Sequence, residues 1–235
     1  MRRRLEPELL DGQIEDNPEL HENLRDMALA NRLLLSNRAV LRRVEAWAAC
    51  VPPHLPITLL DVATGAGELP RAVAAWARGA GRPTRMVASD REQIIAAMAR
   101  RESHGWPIDV ARHDALRMPF ADASVDIVTC AFALHHFSPP AAAALLREMA
   151  RVARIGVIVS DLRRTYAAHW GARLLALGVR NRLSRHDGPL SVLRAYTPPE
   201  VEAIMTDAGL RGMVRAESIF RLVITVERAC PPAHA

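Results

Sequence analysis

Leu59-Leu60-Asp61-Val62-Ala63-Thr64-Gly65-Ala66-Gly67-Glu68-Leu69 is the stretch that decides the fold of this chain. A run of large aliphatic residues opening at Ile57 reaches an acid, passes through two glycines and enters a helical pattern. Continuous rather than alternating apolarity marks a strand buried on both faces, as in a parallel sheet. The glycines permit positive φ and close approach of a ligand, and the helix that follows offers unpaired N–H groups. The turn is therefore expected to hold a nucleotide-like ligand.

Working outward, Pro52, Pro53 and Pro56 separate this strand from a helical segment over residues 19–49, with a break near Ser36-Asn37. Downstream, helix and strand patterns alternate: helix 67–78, strand 85–89, helix 91–103, strand 108–112, strand 125–130, helix 139–153 and strand 156–160. A helix-prone stretch continues through Leu177. Thr197-Pro198-Pro199-Glu200 starts a further helix running to Gly209, and strands 213–217 and 220–226 are too closely joined to pair other than antiparallel. The expectation is an α/β fold, a doubly wound, mostly parallel seven-stranded sheet with an antiparallel last strand, plus an N-terminal helical extension. Residues 1–50 form a helical cap and 51–235 a Rossmann-like domain in this division.

Asp61, Asp90 and Asp114 each close a successive strand at the carboxyl edge, where open α/β sheets bind ligands. A carboxylate in the position of Asp90, followed by Arg91, can accept both hydroxyls of a ribose. A dinucleotide is the obvious competitor for such a site. Its fingerprint needs Gly or Ala three residues after Gly67, where this chain has Pro70.

Taken together, Leu60 to Gly67, Asp90, Asp114-Ala115 followed by Met118-Pro119-Phe120, and Ser124 to Val128 leading to Leu134-His135-His136-Phe137 resemble the class I S-adenosylmethionine-dependent methyltransferases. The quinone-biosynthesis enzymes and their small-molecule relatives are the similar group, and the resemblance covers residues 55–226. It implies S-adenosylmethionine as cofactor and methyl transfer to a small-molecule acceptor, by O- or C-methylation of an aromatic, polyketide-like or quinone-like compound. It also implies roles: Asp61, Gly65 and Gly67, with Ala63 and Thr64 in the same turn, for the methionine moiety. Asp90 and Arg91 fall to the ribose, Asp114 and Ala115 to the adenine, and Cys130 and Ala131 to the neighbourhood of the methyl group. Ala63 stands where the family usually has Gly, which is tolerable if its φ stays negative. The link from Arg151 to Val157 is also shorter than the family's usual one.

The activated methyl needs an acceptor held in line in a dry pocket, so a base is optional. His135, His136 and Asp161 lie at or beyond carboxyl ends of strands and are the candidate catalytic groups. Adjacent residues point apart, so at most one histidine is expected to face the site. The aromatic and apolar residues between Asp161 and Tyr196, including Tyr166, His169, Trp170, Leu174 and Leu177, are candidates for shaping the acceptor pocket. His21, Asn31 and Arg32 are candidates for closing over the cofactor.

No second ligand pair matches the histidines in spacing, so no metal is expected. Cys50, Cys130 and Cys230 are odd in number and widely spaced, which fits a reducing cytoplasm without a disulfide framework. No apolar run reaches the length of a bilayer span, and no secretion signal follows Met1-Arg2-Arg3-Arg4. The net charge of +5 invites a nucleic-acid partner. Against it, all 31 basic residues are Arg scattered among acids, without stacking aromatics or a basic block. Cys130-Ala131-Phe132-Ala133 also lacks the Asn/Asp-Pro-Pro-aromatic segment of many nucleic-acid and protein N-methyltransferases. A non-catalytic cofactor-binding protein stays open, and oligomeric state is not addressed by any of these features.

Overall fold

Strand β1 (Ile57–Val62) occupies the middle of the sheet because its side chains are apolar on both faces, and all but Thr58 are buried. The computed structural model describes residues 1–12 and 15–228. Around β1 are α1 (Pro18–Leu33), α2 (Arg38–Ala48), α3 (Glu68–Gly79), β2 (Thr84–Asp90), α4 (Gln93–Glu102), β3 (Ile108–Arg112) and β4 (Val125–Ala131). The chain continues through α5 (Pro139–Val152), β5 (Ala153–Leu162), α6 (Tyr166–Leu177), α7 (Arg182–Arg194), α8 (Pro198–Asp207), β6 (Met213–Ala216) and β7 (Arg221–Glu227).

The described strands form one sheet of order β3-β2-β1-β4-β5-β7-β6, parallel except where β7 pairs antiparallel with both β5 and β6. Chain order reverses between β1 and β4, which opens a crevice at their carboxyl ends, the usual ligand position in this architecture. The expected class, seven strands and antiparallel last strand are thus observed, with element ends shifted by a residue or a few. Strand β5 runs longer than its apolar run because it begins directly after α5, with Val152 and Ala153 adjacent, and this is the short link noted in the sequence.

Helix α7 has no counterpart among the expected elements. Gly188 and Pro189 interrupt its periodicity, and its start is set instead by Asn181, whose side chain accepts from Ser184 N at 3.1 Å. Cys130 is free and buried, and Cys230 lies outside the described residues.

Helices α3 and α2 cover one face of the sheet; α5 and α8 cover the other. Val40, Val44 and Trp47 of α2 share a cluster with Leu59, Ile127 and Ile155, so this helix packs on the sheet itself. Gly156 of β5 permits that approach. A Cβ there would lie 2.6 Å from the Trp47 ring and 2.7 Å from the Val226 carbonyl.

Candidate functional site

The crevice is floored by the end of β1. Asp61 is buried, and its carboxylate accepts from Thr64 Oγ1 and Thr129 Oγ1, each at 2.6 Å. Burial raises its pKa to about 6, opposed by the two hydroxyls and reinforced by the charge of Asp90. Ala63 follows with φ +52°, contrary to the expectation of a negative angle, because the strand must turn sharply before the helix. Gly65 and Gly67 are also left-handed, at +55° and +76°. A Cβ on Gly67 would approach Ser103 Oγ to 3.0 Å, so this glycine serves close packing of α3 on α4 as well as the turn.

Asp90 joins the second strand to that turn. Its Oδ2 accepts from Gly65 N at 3.2 Å and its Oδ1 from Glu92 N at 3.0 Å. Burial is the main cause of its raised pKa. Arg91 beside it is exposed and donates to Glu92. Asp114 is exposed two residues past β3 and caps its own turn, accepting from Leu116 N at 2.9 Å; Ala115 is half-buried.

Cys130 lies inside β4 with no exposed surface and its side chain in the apolar core, rather than lining the crevice where the methyl group is expected. One residue later the alternation of the strand turns Ala131 toward the crevice, where Ala131 and Phe132 line a cavity of about 100 Å³. Phe132 is a site residue that sequence reasoning passed over.

Helix α1 roofs this cavity with Leu24, Met27 and Asn31, and the floor holds Asp61, Ala63, Thr64, Gly65 and Glu68. Asn31 Nδ2 donates to Glu68 Oε2 at 3.1 Å, closing the helix over the start of α3. A second cavity of about 300 Å³ lies alongside, with Leu24, Ala66 and Glu68 common to both and His21, Arg71 and Arg101 on its walls. Arg32 is exposed and lines neither cavity.

The candidate catalytic groups are brought together, but away from that cavity. His135 Nδ1 pairs with Asp161 Oδ1 at 2.7 Å while His135 N donates to Asp161 Oδ2 at 2.8 Å, and both residues are buried. Burial is the largest single influence on the Asp161 carboxyl and pushes its pKa up, but the charge and hydrogen bonds of His135 together with the Leu162 N–H outweigh it and hold the carboxyl below its usual range. The histidines do not point apart. In the 3-10 turn 134–136 their rings lie 4.2 Å centroid to centroid, and both face Glu8 on the N-terminal segment. Spacing in sequence could not have found Glu8.

The residues expected to shape an acceptor pocket between Asp161 and Tyr196 are corrected as well. Tyr166, Trp170, Leu174 and Leu177 are 61–81% exposed on α6, and none lines either cavity. Tyr196 is buried and donates to the Phe137 carbonyl at 2.7 Å. His169 Nδ1 lies 3.4 Å from the Pro189 carbonyl.

The turn suits a cationic, amine-bearing ligand. Asp61 uses two acceptor sites on hydroxyls, lines the cavity, and has no ion-pair partner within 4 Å among the described residues. An ammonium group would supply the charge that this buried carboxylate lacks.

Residues 59–156 match the family model described as a methyltransferase domain. The chain is 30% identical over 209 residues to a demethylmenaquinone methyltransferase of Deinococcus radiodurans, covering 80% of this chain and 84% of the relative. It is 26% identical to a 2-phytyl-1,4-naphtoquinone methyltransferase of Synechococcus elongatus, over 69% of this chain and 67% of that one. A SAM-dependent methyltransferase structure from Aquifex aeolicus shares the fold with a TM-score of 0.61 and 21% identity, covering 87% of this chain and 96% of that one.

Proposed function

The chain belongs to the class I S-adenosylmethionine-dependent methyltransferases, with S-adenosylmethionine as cofactor, and from that premise we propose that it methylates a small, flat, apolar acceptor of quinol or phenol type. The observation that carries the acceptor class is the lining of the cavity at the glycine turn, where Leu24, Met27, Leu69 and Phe132 surround the space beyond Ala131. The two quinone-acting relatives support the same class.

In this proposal Asp61 holds the cofactor's ammonium group, Asp90 its ribose hydroxyls, and the turn at Asp114-Ala115 its base. Gly65 presents its backbone to the ligand, having no atom within 4 Å of where a Cβ would stand. The bound cofactor supplies a sulfonium-activated methyl group. The chain's own contribution is to exclude water with α1 and to set the acceptor's plane against Phe132.

His135, His136 and Asp161 are not proposed as bases here, since they lie outside the lining of the cavity and Glu8 closes over them. In this reading the proton that a phenol or quinol loses on methylation passes to water rather than to a side chain.

The test is a panel of 1,4-naphthoquinols, simple phenols and aliphatic amines incubated with labelled cofactor, alongside calorimetry of S-adenosylhomocysteine. Turnover of naphthoquinols or phenols, with a KM raised about tenfold or more by Phe132→Ser, is expected. Turnover of the amines alone would overturn the acceptor class. Tight binding of S-adenosylhomocysteine with no turnover of any acceptor would mark a cofactor-binding protein without this activity.

A further inference from the structure

We propose that Glu8, His135 and His136 form a binding site for one divalent transition-metal ion of the zinc type, which fastens the N-terminal segment across the carboxyl edge of the sheet. One ligand atom from each residue can be chosen so that all lie within 4.8 Å of one another. His135 Nε2 stands 3.6 Å from Glu8 Oε1, and His136 Nε2 stands 3.9 Å from Glu8 Oε2. Ligands at ~2.0–2.1 Å on a tetrahedral ion lie roughly 3.3 Å apart, so closure around a metal draws the two Glu8–histidine pairs in by well under ~1 Å and the widest ligand pair by up to about 1.5 Å.

The second observation is the condition of Glu8 itself. Its side chain is 4% exposed and its Oε1 has no hydrogen-bond partner. An unsatisfied carboxylate oxygen in the interior is costly, and this one stands 3.6 Å from His135 Nε2 while the other oxygen of the same carboxylate stands 3.9 Å from His136 Nε2.

The third is how the rings are held. His135 Nδ1 lies 2.7 Å from Asp161 Oδ1, and His136 Nδ1 lies 2.7 Å from Asp11 Oδ1. A carboxylate on Nδ1 fixes the tautomer that leaves Nε2 with a free lone pair, and is the usual outer support of a metal-binding histidine. Here both rings have it. Asp161 also accepts from His135 N and Leu162 N, and Asp11 from Glu8 N, so these supports are themselves anchored.

Three carboxylates, Glu8, Asp11 and Asp161, stand round the two imidazoles. Arg194 is the one guanidinium within ion-pair distance of them among the described residues; it pairs with Asp11 and lies 3.5 Å from Glu8 Oε1. Two imidazoles and one carboxylate suit Zn2+, Co2+ or Ni2+ rather than Mg2+ or Ca2+, which take oxygen ligands. The His136 ring is 30% exposed and gives the ion a way in. A fourth position would fall to water.

The test uses the full chain, freed of metal with a chelator, dialysed against Zn2+ and analysed for bound metal, with Co2+ as a spectroscopic probe. About one equivalent of Zn2+ and a visible Co2+ band of low-coordinate intensity are expected. Glu8→Gln and His136→Gln, the second at a partly exposed position, should each weaken Zn2+ binding about tenfold or more while circular dichroism stays unchanged. Limited proteolysis should cut the N-terminal segment faster when the metal is removed. Negligible bound Zn2+ in the unsubstituted chain, or the same affinity in both variants, would overturn the site.

Discussion

The Asp90 carboxylate accepts a hydrogen bond from the backbone N–H of Gly65 at 3.2 Å, so the end of β2 is tied to the turn that follows β1. The acid in this position therefore does two things. It sets the turn's backbone, and in the proposed role its oxygens, each accepting one backbone N–H, have capacity left for the ribose hydroxyls.

Replacing it separates the two roles. Asp90→Ala removes both the turn contact and the proposed ribose acceptor, and S-adenosylhomocysteine affinity is expected to fall at least about tenfold, the scale of a lost charged hydrogen bond at roughly 1.5–3 kcal/mol. Asp90→Asn keeps one acceptor for Gly65 N and should fall between the two. Calorimetric titration reads both, and equal affinity of all three proteins would take Asp90 out of the site.

In the role proposed for it, Asp61 ties cofactor affinity to pH. Burial raises its folded pKa to about 6 from the ordinary aspartate value of 3.8. A raised folded pKa means that protonation favours the folded state, so this group's contribution to stability is fully present below about pH 4 and is lost as pH rises through 6. The ligand-free protein should thus gain stability at pH 8 on Asp61→Asn, by about 1–3 kcal/mol. Cofactor binding runs the other way, because an ammonium group needs the carboxylate charged. Affinity for S-adenosylhomocysteine should decline below pH 6 in the unsubstituted protein and be weak at every pH in the variant. Denaturant midpoints and calorimetry at pH 5 and pH 8 give the two halves.

Ala63 has a left-handed backbone where glycine would be unstrained. A non-glycine residue in that region costs roughly 1–2 kcal/mol, and glycine's looser unfolded chain gives back roughly 0.5–1 kcal/mol of any gain. Ala63→Gly is expected to stabilise the protein by about 0.5–1 kcal/mol, seen as a higher urea midpoint at unchanged slope. Ala63→Val should move it down.

Much of the fold was legible because its signals are local. The run from Ile57 to Val62, the glycines at 65 and 67 and the capping box Thr197/Glu200 each act over a few residues, and the last hairpin follows from its short connection. The acids at strand ends were legible for the same reason. What escaped depends on distant partners. Glu8 meets His135 only through the path of the N-terminal segment, and the aromatic content of α6 says nothing about which way that helix faces. Helix α7 escaped because glycine and proline break its pattern while its stability comes from packing on α6 and α1.

The N-terminal helices also belong to the stability of the sheet, and one glycine tests it. Trp47 of α2 fits against Gly156 of β5, where a Cβ would meet the indole ring at 2.6 Å and, from the other side, the Val226 carbonyl at 2.7 Å. Neither neighbour is the free end of a flexible chain, since the ring is buried and the carbonyl belongs to β7. Gly156→Ala should therefore cost about 1–3 kcal/mol through overpacking, although alanine suits a strand better than glycine on propensity alone. Trp47→Ala removes the ring but leaves a cavity, at a cost of about 3–5 kcal/mol. In the double variant the added methyl meets only the carbonyl, so the combined loss should fall short of the sum by about 1 kcal/mol. Strict additivity in chemical denaturation would mean that α2 and β5 do not press on one another at this point.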